Sequence, residues 1–208
     1  MKTLTWYFDF ISPYAYLQST RLPEFAAHAR LECRPVLFAG LLKHFGHKGP
    51  AEIEPKRVGT FEHVAWLAHR HGIALAMPPM HPFNPLPLLR LSSVLGSGAD
   101  VVQRLFRFVW VEGGLPTDAA RWTALLAELG TDSAALEAPA AKDAVRASTD
   151  AAIDAGIFGV PTSVVDGQRI WGFESTDMVM ARLADDPFFD GGAIRAARAL
   201  PQGVARRT

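Results

Sequence analysis

Leu4-Thr5-Trp6-Tyr7-Phe8-Asp9-Phe10-Ile11-Ser12-Pro13-Tyr14 is the stretch that decides the fold. Leu4 to Phe10 alternates and is rich in aromatics, the pattern of a strand. Ser12-Pro13 follows at once, a helix N-cap with proline at the first helical position. Further on, Tyr14, Leu17, Leu22, Phe25, Ala26 and Ala29 recur at helical spacing up to Arg30, with Pro23 as a kink or restart. Leu31 to Leu37 alternates again, and Pro35 marks an edge or a strand end. The result is a β-α-β unit long enough for a parallel crossover.

From about Ala39 to Ala152 the signals are helical. Helices are predicted at Gly59 to His71, Pro87 to Leu95, Ala99 to Glu112, Thr117 to Leu129, Ser133 to Glu137 onward, and Lys142 to Ala155, the last ended by Gly156. Loops are predicted over Gly46 to Pro55 and over the proline-crowded Met77 to Pro87. Val160 to Val165, the turn Asp166-Gly167 and Gln168 to Trp171 then form a β-hairpin. A final helix runs from Ser175-Thr176-Asp177 to about Leu183, capped by one of those polar residues. The tail beyond Pro187 carries Arg195, Arg198, Arg206 and Arg207 as solvated surface. Half of one α/β sheet thus lies at each end of the chain, with a helical insertion packed over it. The division is residues 1–38 and 153–208 for the sheet-bearing domain and 39–152 for the insertion. In such sheets ligands collect at the carboxyl ends of strands near helix N-termini, where Ser12 sits.

The 208 residues are enough for one large domain with a real core. Twenty-one basic and 21 acidic residues cancel, and 49% hydrophobic content argues against both a disordered chain and an electrostatically driven nucleic-acid binder. Cys33 is the only cysteine, so no internal disulfide is available. The opening residues lack the apolar run of a secretory leader, and no stretch reaches the length of a membrane span. A cytoplasmic protein with no membrane or nucleic-acid partner is the expectation. The histidines His44, His47, His63, His69, His71 and His81 show no metal-ligand spacing.

Three motifs each have two readings. Ser12 either simply caps its helix or stabilises an anion there; no base or glycine-flanked turn marks it as a nucleophile. The Val160-Pro161 bond is either an ordinary trans link or a cis bond turning the Val160 backbone toward a strand-like ligand. Trp171-Gly172-Phe173-Glu174-Ser175 is either a loop and cap or an amino-acid clamp, with Glu174 pairing an ammonium group. Cys33, in a strand, reads as an inert small residue.

Taken together, Phe8-Asp9-Phe10-Ile11-Ser12-Pro13-Tyr14-Ala15-Tyr16-Leu17 and Gly156-Ile157-Phe158-Gly159-Val160-Pro161-Thr162 resemble a known pair of motifs. They are similar to those of the glutathione-dependent 2-hydroxychromene-2-carboxylate isomerases and the related kappa-class glutathione transferases. Trp171-Gly172-Phe173-Glu174 resembles that family's W-G-x-D stretch, and Gly46-His47-Lys48-Gly49-Pro50 its G-N-x-x-P loop. His47 stands where the family usually has Asn, and Ser175 where Arg is common.

The resemblance implies an α/β, thioredoxin-like, DsbA-type fold with a large helical insertion. Where redox members of that fold carry C-x-x-C, this chain reads Ser12-Pro13-Tyr14-Ala15, so the sulfur must come from outside, as glutathione. It further implies Ser12 as the catalytic group, with Val160 beside a cis Pro161 and with Trp171, Gly172, Phe173 and Glu174 binding glutathione. Lys43, His47 and Asn84 fall in loops assigned to an aromatic carboxylate substrate. The implied reaction is isomerisation by thiolate addition, bond rotation and elimination, in a cytoplasmic homodimer. Holding a thiol of ordinary pKa about 8.5 ionised at neutral pH needs about 2.7 kcal/mol. A hydroxyl hydrogen bond to a charge supplies about 1.5–3 kcal/mol, and a helix N-terminus about 0.3–1 kcal/mol. The rivals are a kappa-like transferase, which would consume glutathione, and a non-catalytic thioredoxin-like binding module.

Overall fold

A computed structural model of the chain describes residues 1–204, so Arg206 and Arg207 lie outside the described residues. Strand β1, Thr3–Phe8, sends Leu4, Trp6 and Phe8 into the core on alternate positions, with Trp6 stacked on Phe8 at 4.8 Å. It stops two residues short of the predicted end. Asp9 turns the chain instead, its carbonyl accepting from the Ser12 N–H at 3.0 Å. Helix α1, Pro13–Ser19, is only seven residues long, and α2, Leu22–His28, restarts with Pro23 in its first turn. Strand β2, Arg30–Pro35, then pairs parallel with β1.

Helices α3 (Phe38–His44), α4 (Glu54–His71), α5 (Leu86–Val94), α6 (Ala99–Trp110), α7 (Ala119–Glu128), α8 (Ser133–Glu137) and α9 (Pro139–Asp154) follow. Helix α3 was not predicted, because its N-cap Leu37 offers no side-chain signal. Helix α4 begins five residues before Gly59, with Pro55 in its first turn rather than in a loop. Asp118 caps α7 by accepting from the Arg121 N–H at 3.2 Å, as its place before the helix predicts.

Strands β3 (Thr162–Val165) and β4 (Gln168–Trp171) close the sheet in the order β2-β1-β3-β4, with β3 antiparallel to both of its neighbours. Pro35 therefore ends an edge strand. Asp166 and Gly167 both have positive φ, 50° and 75°, the two-residue turn that an Asp-Gly hairpin requires. Helix α10, Thr176–Leu183, has no side-chain cap from Ser175; a 3-10 turn over Phe173–Ser175 leads into it. The tail forms a further short helix, α11, Gly192–Arg198, with Arg195 and Arg198 exposed.

One hydrophobic core joins the sheet to the inserted helices. Phe10 meets Phe106 of α6 at 4.8 Å, and Tyr16 stacks with Trp110 at 6.3 Å. A smaller cluster of Val36, Leu41, Ala152, Ile157 and Val160 packs with Tyr7 and Val164, residues that alternate in β1 and β3 with those of the main core.

Candidate active site

The chain between β1 and α1 is clamped from several sides. The Trp110 indole N–H donates to the Phe10 carbonyl at 2.9 Å, and His81 Nε2 bonds the Ile11 carbonyl at 2.9 Å. The Asp9 carboxylate accepts from the Ile11 N–H at 3.1 Å and from the Phe38 N–H at 2.8 Å. Asp9 is fully buried, and burial outweighs these bonds and pushes its pKa up to about 7. Burial likewise pulls the His81 pKa down, so the neutral ring with its proton on Nε2 suits the bond to Ile11.

At the end of this clamped segment sits Ser12, buried at the N-cap of α1. Its Oγ accepts from the Ala15 N–H at 3.2 Å and donates to the Val160 carbonyl at 3.4 Å. The capping reading is thus present as geometry. The Val160-Pro161 bond is cis. With α1 so short, the hydroxyl and not the helix dipole is the stronger means of holding an anion beside Ser12.

Ser12 opens onto an apolar cavity of about 760 Å³ walled by Phe38, Leu42, Phe61, Phe83 and Phe158, with His47, Lys48 and Arg57 among its polar lining. A groove of about 650 Å³ adjoins it, lined by Lys56, Gly59, His63, Pro161, Gly172 and Glu174. Tyr14, Pro50, Thr60, Val160 and Trp171 border both spaces, which makes them two compartments of one site. In the groove the Tyr14 hydroxyl lies 2.9 Å from His63 Nδ1, which stands 3.9 Å from Glu174. Gln18 fixes the far wall: its Nε2 donates to the Gly172 carbonyl at 3.1 Å and to Thr176 Oγ1 at 3.0 Å, while its Oε1 accepts from Trp6 at 2.7 Å.

Most of the residues singled out from sequence converge here, and three do not. Ser12 and His47 line the cavity, Val160 and Trp171 line both compartments, and Pro161, Gly172 and Glu174 line the groove. Phe173 instead turns into the core, edge-on to His71 at 5.4 Å, because successive side chains of a 3-10 turn are about 120° apart and cannot all face the groove. Lys43, on the last turn of α3, opens onto a separate cleft with His44, Arg90, Lys142 and Arg146. Asn84 is exposed, and its Oδ1 accepts from the Leu86 N–H at 3.1 Å. Sequence reasoning missed Asp9, Tyr14, Arg57, His63 and His81 as site residues. A lone acid inside an aromatic strand was the one signal available.

A family model for the DSBA-like thioredoxin domain matches residues 3–184. A 2-hydroxychromene-2-carboxylate isomerase of Pseudomonas putida is 32% identical over 188 residues, covering 85% of this chain and 92% of the relative. Another of that name, from Sphingobium xenophagum, is 28% identical over 194 residues, covering 88% and 99%. The solved structure of a 2-hydroxychromene-2-carboxylate isomerase superposes with a TM-score of 0.76 at 24% identity, covering 95% of this chain and 98% of that one. The chain therefore belongs to the DSBA-like thioredoxin-domain family, within which the curated relatives it matches are named 2-hydroxychromene-2-carboxylate isomerase.

Proposed function

We propose that this protein is a glutathione-dependent isomerase that converts 2-hydroxychromene-2-carboxylate, or a close analogue, to trans-o-hydroxybenzylidenepyruvate in aromatic hydrocarbon catabolism. The observation that carries this reading is kinship over more than four-fifths of the chain with relatives named for that activity. The groove suits glutathione by its donor set. Glu174 offers a carboxylate to an ammonium group, and Lys56 an ammonium to a carboxylate. On the same groove Gly59, inside α4, leaves open space where a Cβ would stand. A glycine there costs α4 about 1 kcal/mol relative to alanine, and the clearance it gives is on the wall a ligand would touch.

The chemistry glutathione supplies when bound is a thiolate able to add to a conjugated alkene and leave again, with the bond free to rotate in between. The protein's own contribution is positional and electrostatic. Ser12 turns its hydroxyl proton from the Val160 carbonyl to the sulfur and lowers the thiol pKa. Val160 offers backbone groups beside Pro161, and Trp171, Gly172 and Glu174 receive the γ-glutamyl end. The apolar cavity holds the substrate rings and excludes water, with His47 at its edge. No helix among the described residues is long and apolar enough to cross a membrane; a cytoplasmic homodimer is part of the proposal.

The test is to incubate the protein with hydroxychromene carboxylate and a trace of glutathione, following product by absorbance and free thiol by titration. Many turnovers with thiol conserved are expected. Thiol loss matching product formation would instead identify a transferase, and no turnover with folded protein would overturn both enzyme readings.

A further inference from the structure

Five arginines among the described residues are half-buried: Arg21, Arg57, Arg90, Arg104 and Arg182. Four of them hold a carboxylate. Arg21 pairs with Glu24, Arg90 with Glu137, Arg104 with Glu112 and Glu128, and Arg182 with Asp166. Arg57 is the exception. Its backbone N–H serves α4 by donating to the Ile53 carbonyl, but its guanidinium meets no carboxylate, carbonyl or hydroxyl among the described residues. Half-buried on the wall of the Ser12 cavity, an unpaired guanidinium has its N–H donors available to an anion from outside.

The surroundings say what kind of anion. Arg57 shares its cavity with Phe38, Phe61, Phe83 and Phe158, a wall suited to a flat apolar body. Two acidic residues line the same space, and neither forms an ion pair with Arg57 among the described residues. Asp9 is engaged by the Ile11 and Phe38 amides, and Glu52 Oε1 accepts from the Gly49 N–H at 2.6 Å. Guanidinium matches carboxylate with two parallel N–H donors, a geometry that an ammonium group does not reproduce.

We infer that Arg57 is the carboxylate anchor of the substrate compartment, selecting flat aromatic acids over neutral aromatics of the same shape. This inference rests on the isomerase reading for the identity of the natural acid, but the anchor itself does not need turnover to be seen. It also replaces Lys43 and Asn84, whose side chains lie elsewhere, as the group that receives the substrate's charge.

The test is a fluorescence titration with 2-naphthoate and with 2-naphthol, using the wild-type protein, Arg57→Gln and Arg57→Lys. The wild type should bind naphthoate at least tenfold more tightly than naphthol. Arg57→Gln should erase that preference by weakening naphthoate about tenfold or more while leaving naphthol unchanged, which also reports an intact cavity. Arg57→Lys should recover only part of the loss. Unchanged naphthoate affinity in Arg57→Gln would overturn the anchor, as would equal loss of both probes. The two failures separate cleanly. An active isomerase whose kcat/KM ignores Arg57→Gln refutes the anchor and leaves the isomerase standing. Naphthoate discrimination that depends on Arg57, in a protein with no isomerase activity, supports the anchor and refutes the isomerase.

Discussion

The Ser12 hydroxyl donates to the Val160 carbonyl across 3.4 Å, joining the end of the β1 turn to the loop before β3, 148 residues away in sequence. Hydroxyl bonds to carbonyls are commonly about 2.7–2.8 Å long, so this one is weak and readily exchanged for a better acceptor. The lone pair that caps α1 through Ala15 is left in place when the proton turns. One side chain can thus keep its structural bond and offer its hydrogen to an incoming anion.

Ser12→Ala removes both. Losing a hydroxyl bond to a charged sulfur costs about 1.5–3 kcal/mol, so kcat/KM should fall roughly 10- to 150-fold. Calorimetry in two buffers should show glutathione binding without the proton release seen in the wild type. Loss of the N-cap should lower stability to urea by about 1 kcal/mol. Proton release that persists unchanged would remove Ser12 from thiolate activation.

Asp9 makes a pH prediction whose sign is opposite to that of a salt-bridged acid. Its folded pKa is raised by burial from 3.8 to about 7, so the native state holds the proton more tightly than the unfolded one. Its contribution to stability should fall as pH rises from about 4 to about 7 and then level off, where both states are ionised. Urea midpoints across that range should decline more steeply for the wild type than for Asp9→Asn, which cannot ionise. Parallel profiles would show that Asp9 does not titrate there.

Legibility from sequence followed the range of the interaction. The alternation of β1, the Ser12-Pro13 cap and the Asp166-Gly167 turn are local signals; the cap and the turn stand where the sequence puts them, and β1 does so up to Phe8. Helix α3 has no such signal. It is held by Leu41 in the smaller cluster and by the Thr149 hydroxyl, which accepts from the Leu37 N–H at 2.9 Å across 112 residues. That helix then carries Lys43 away from the cavity, which no motif comparison could reveal. His81 bonds Ile11 across 70 residues, and Arg57 matters because of a partner it lacks. Motif spelling located the Ser12 and Val160 ends of the site, while the α4 wall and the clamp on the Ser12 segment depend on how distant helices pack.

Gln18 is buried and ties the core to the groove wall, so Gln18→Leu should affect both. It leaves the Trp6 indole N–H and the Gly172 carbonyl without their partner. At about 1–3 kcal/mol for each group left unsatisfied, urea unfolding should show a loss of about 2–6 kcal/mol. The glutathione Kd should rise as the segment from Gly172 to Glu174 loosens. A stable variant with unaltered affinity would deny the tie any role.

Cys33 should be a bystander. Burial alone pushes its thiol up to about 12, which leaves roughly one molecule in ten thousand ionised at pH 8. Iodoacetamide should alkylate it in the folded protein about a thousandfold more slowly than a free thiol. Cys33→Ala should retain full glutathione-dependent activity. Rapid alkylation, or activity lost with the sulfur, would reopen a role for a protein thiol.

Gly159 and Trp171 form the closest fit at the mouth of the site. A Cβ on Gly159 would stand 2.7 Å from Trp171 Nε1, so only glycine lets the indole lie where it borders both cavity and groove. Trp171 is 55% exposed and touches Phe158 edge-on at 5.2 Å, which leaves it free to be pushed outward. Gly159→Ala should therefore cost little stability, within about 0.5–1 kcal/mol. A displacement of this size beside the reacting groups should still lower kcat/KM about tenfold or more. Trp171→Ala should lower it too, and the double variant should be no worse than Trp171→Ala alone, because the alanine methyl then has nothing left to displace. Simple addition of the two losses would mean that the glycine acts on the site by some route other than the indole.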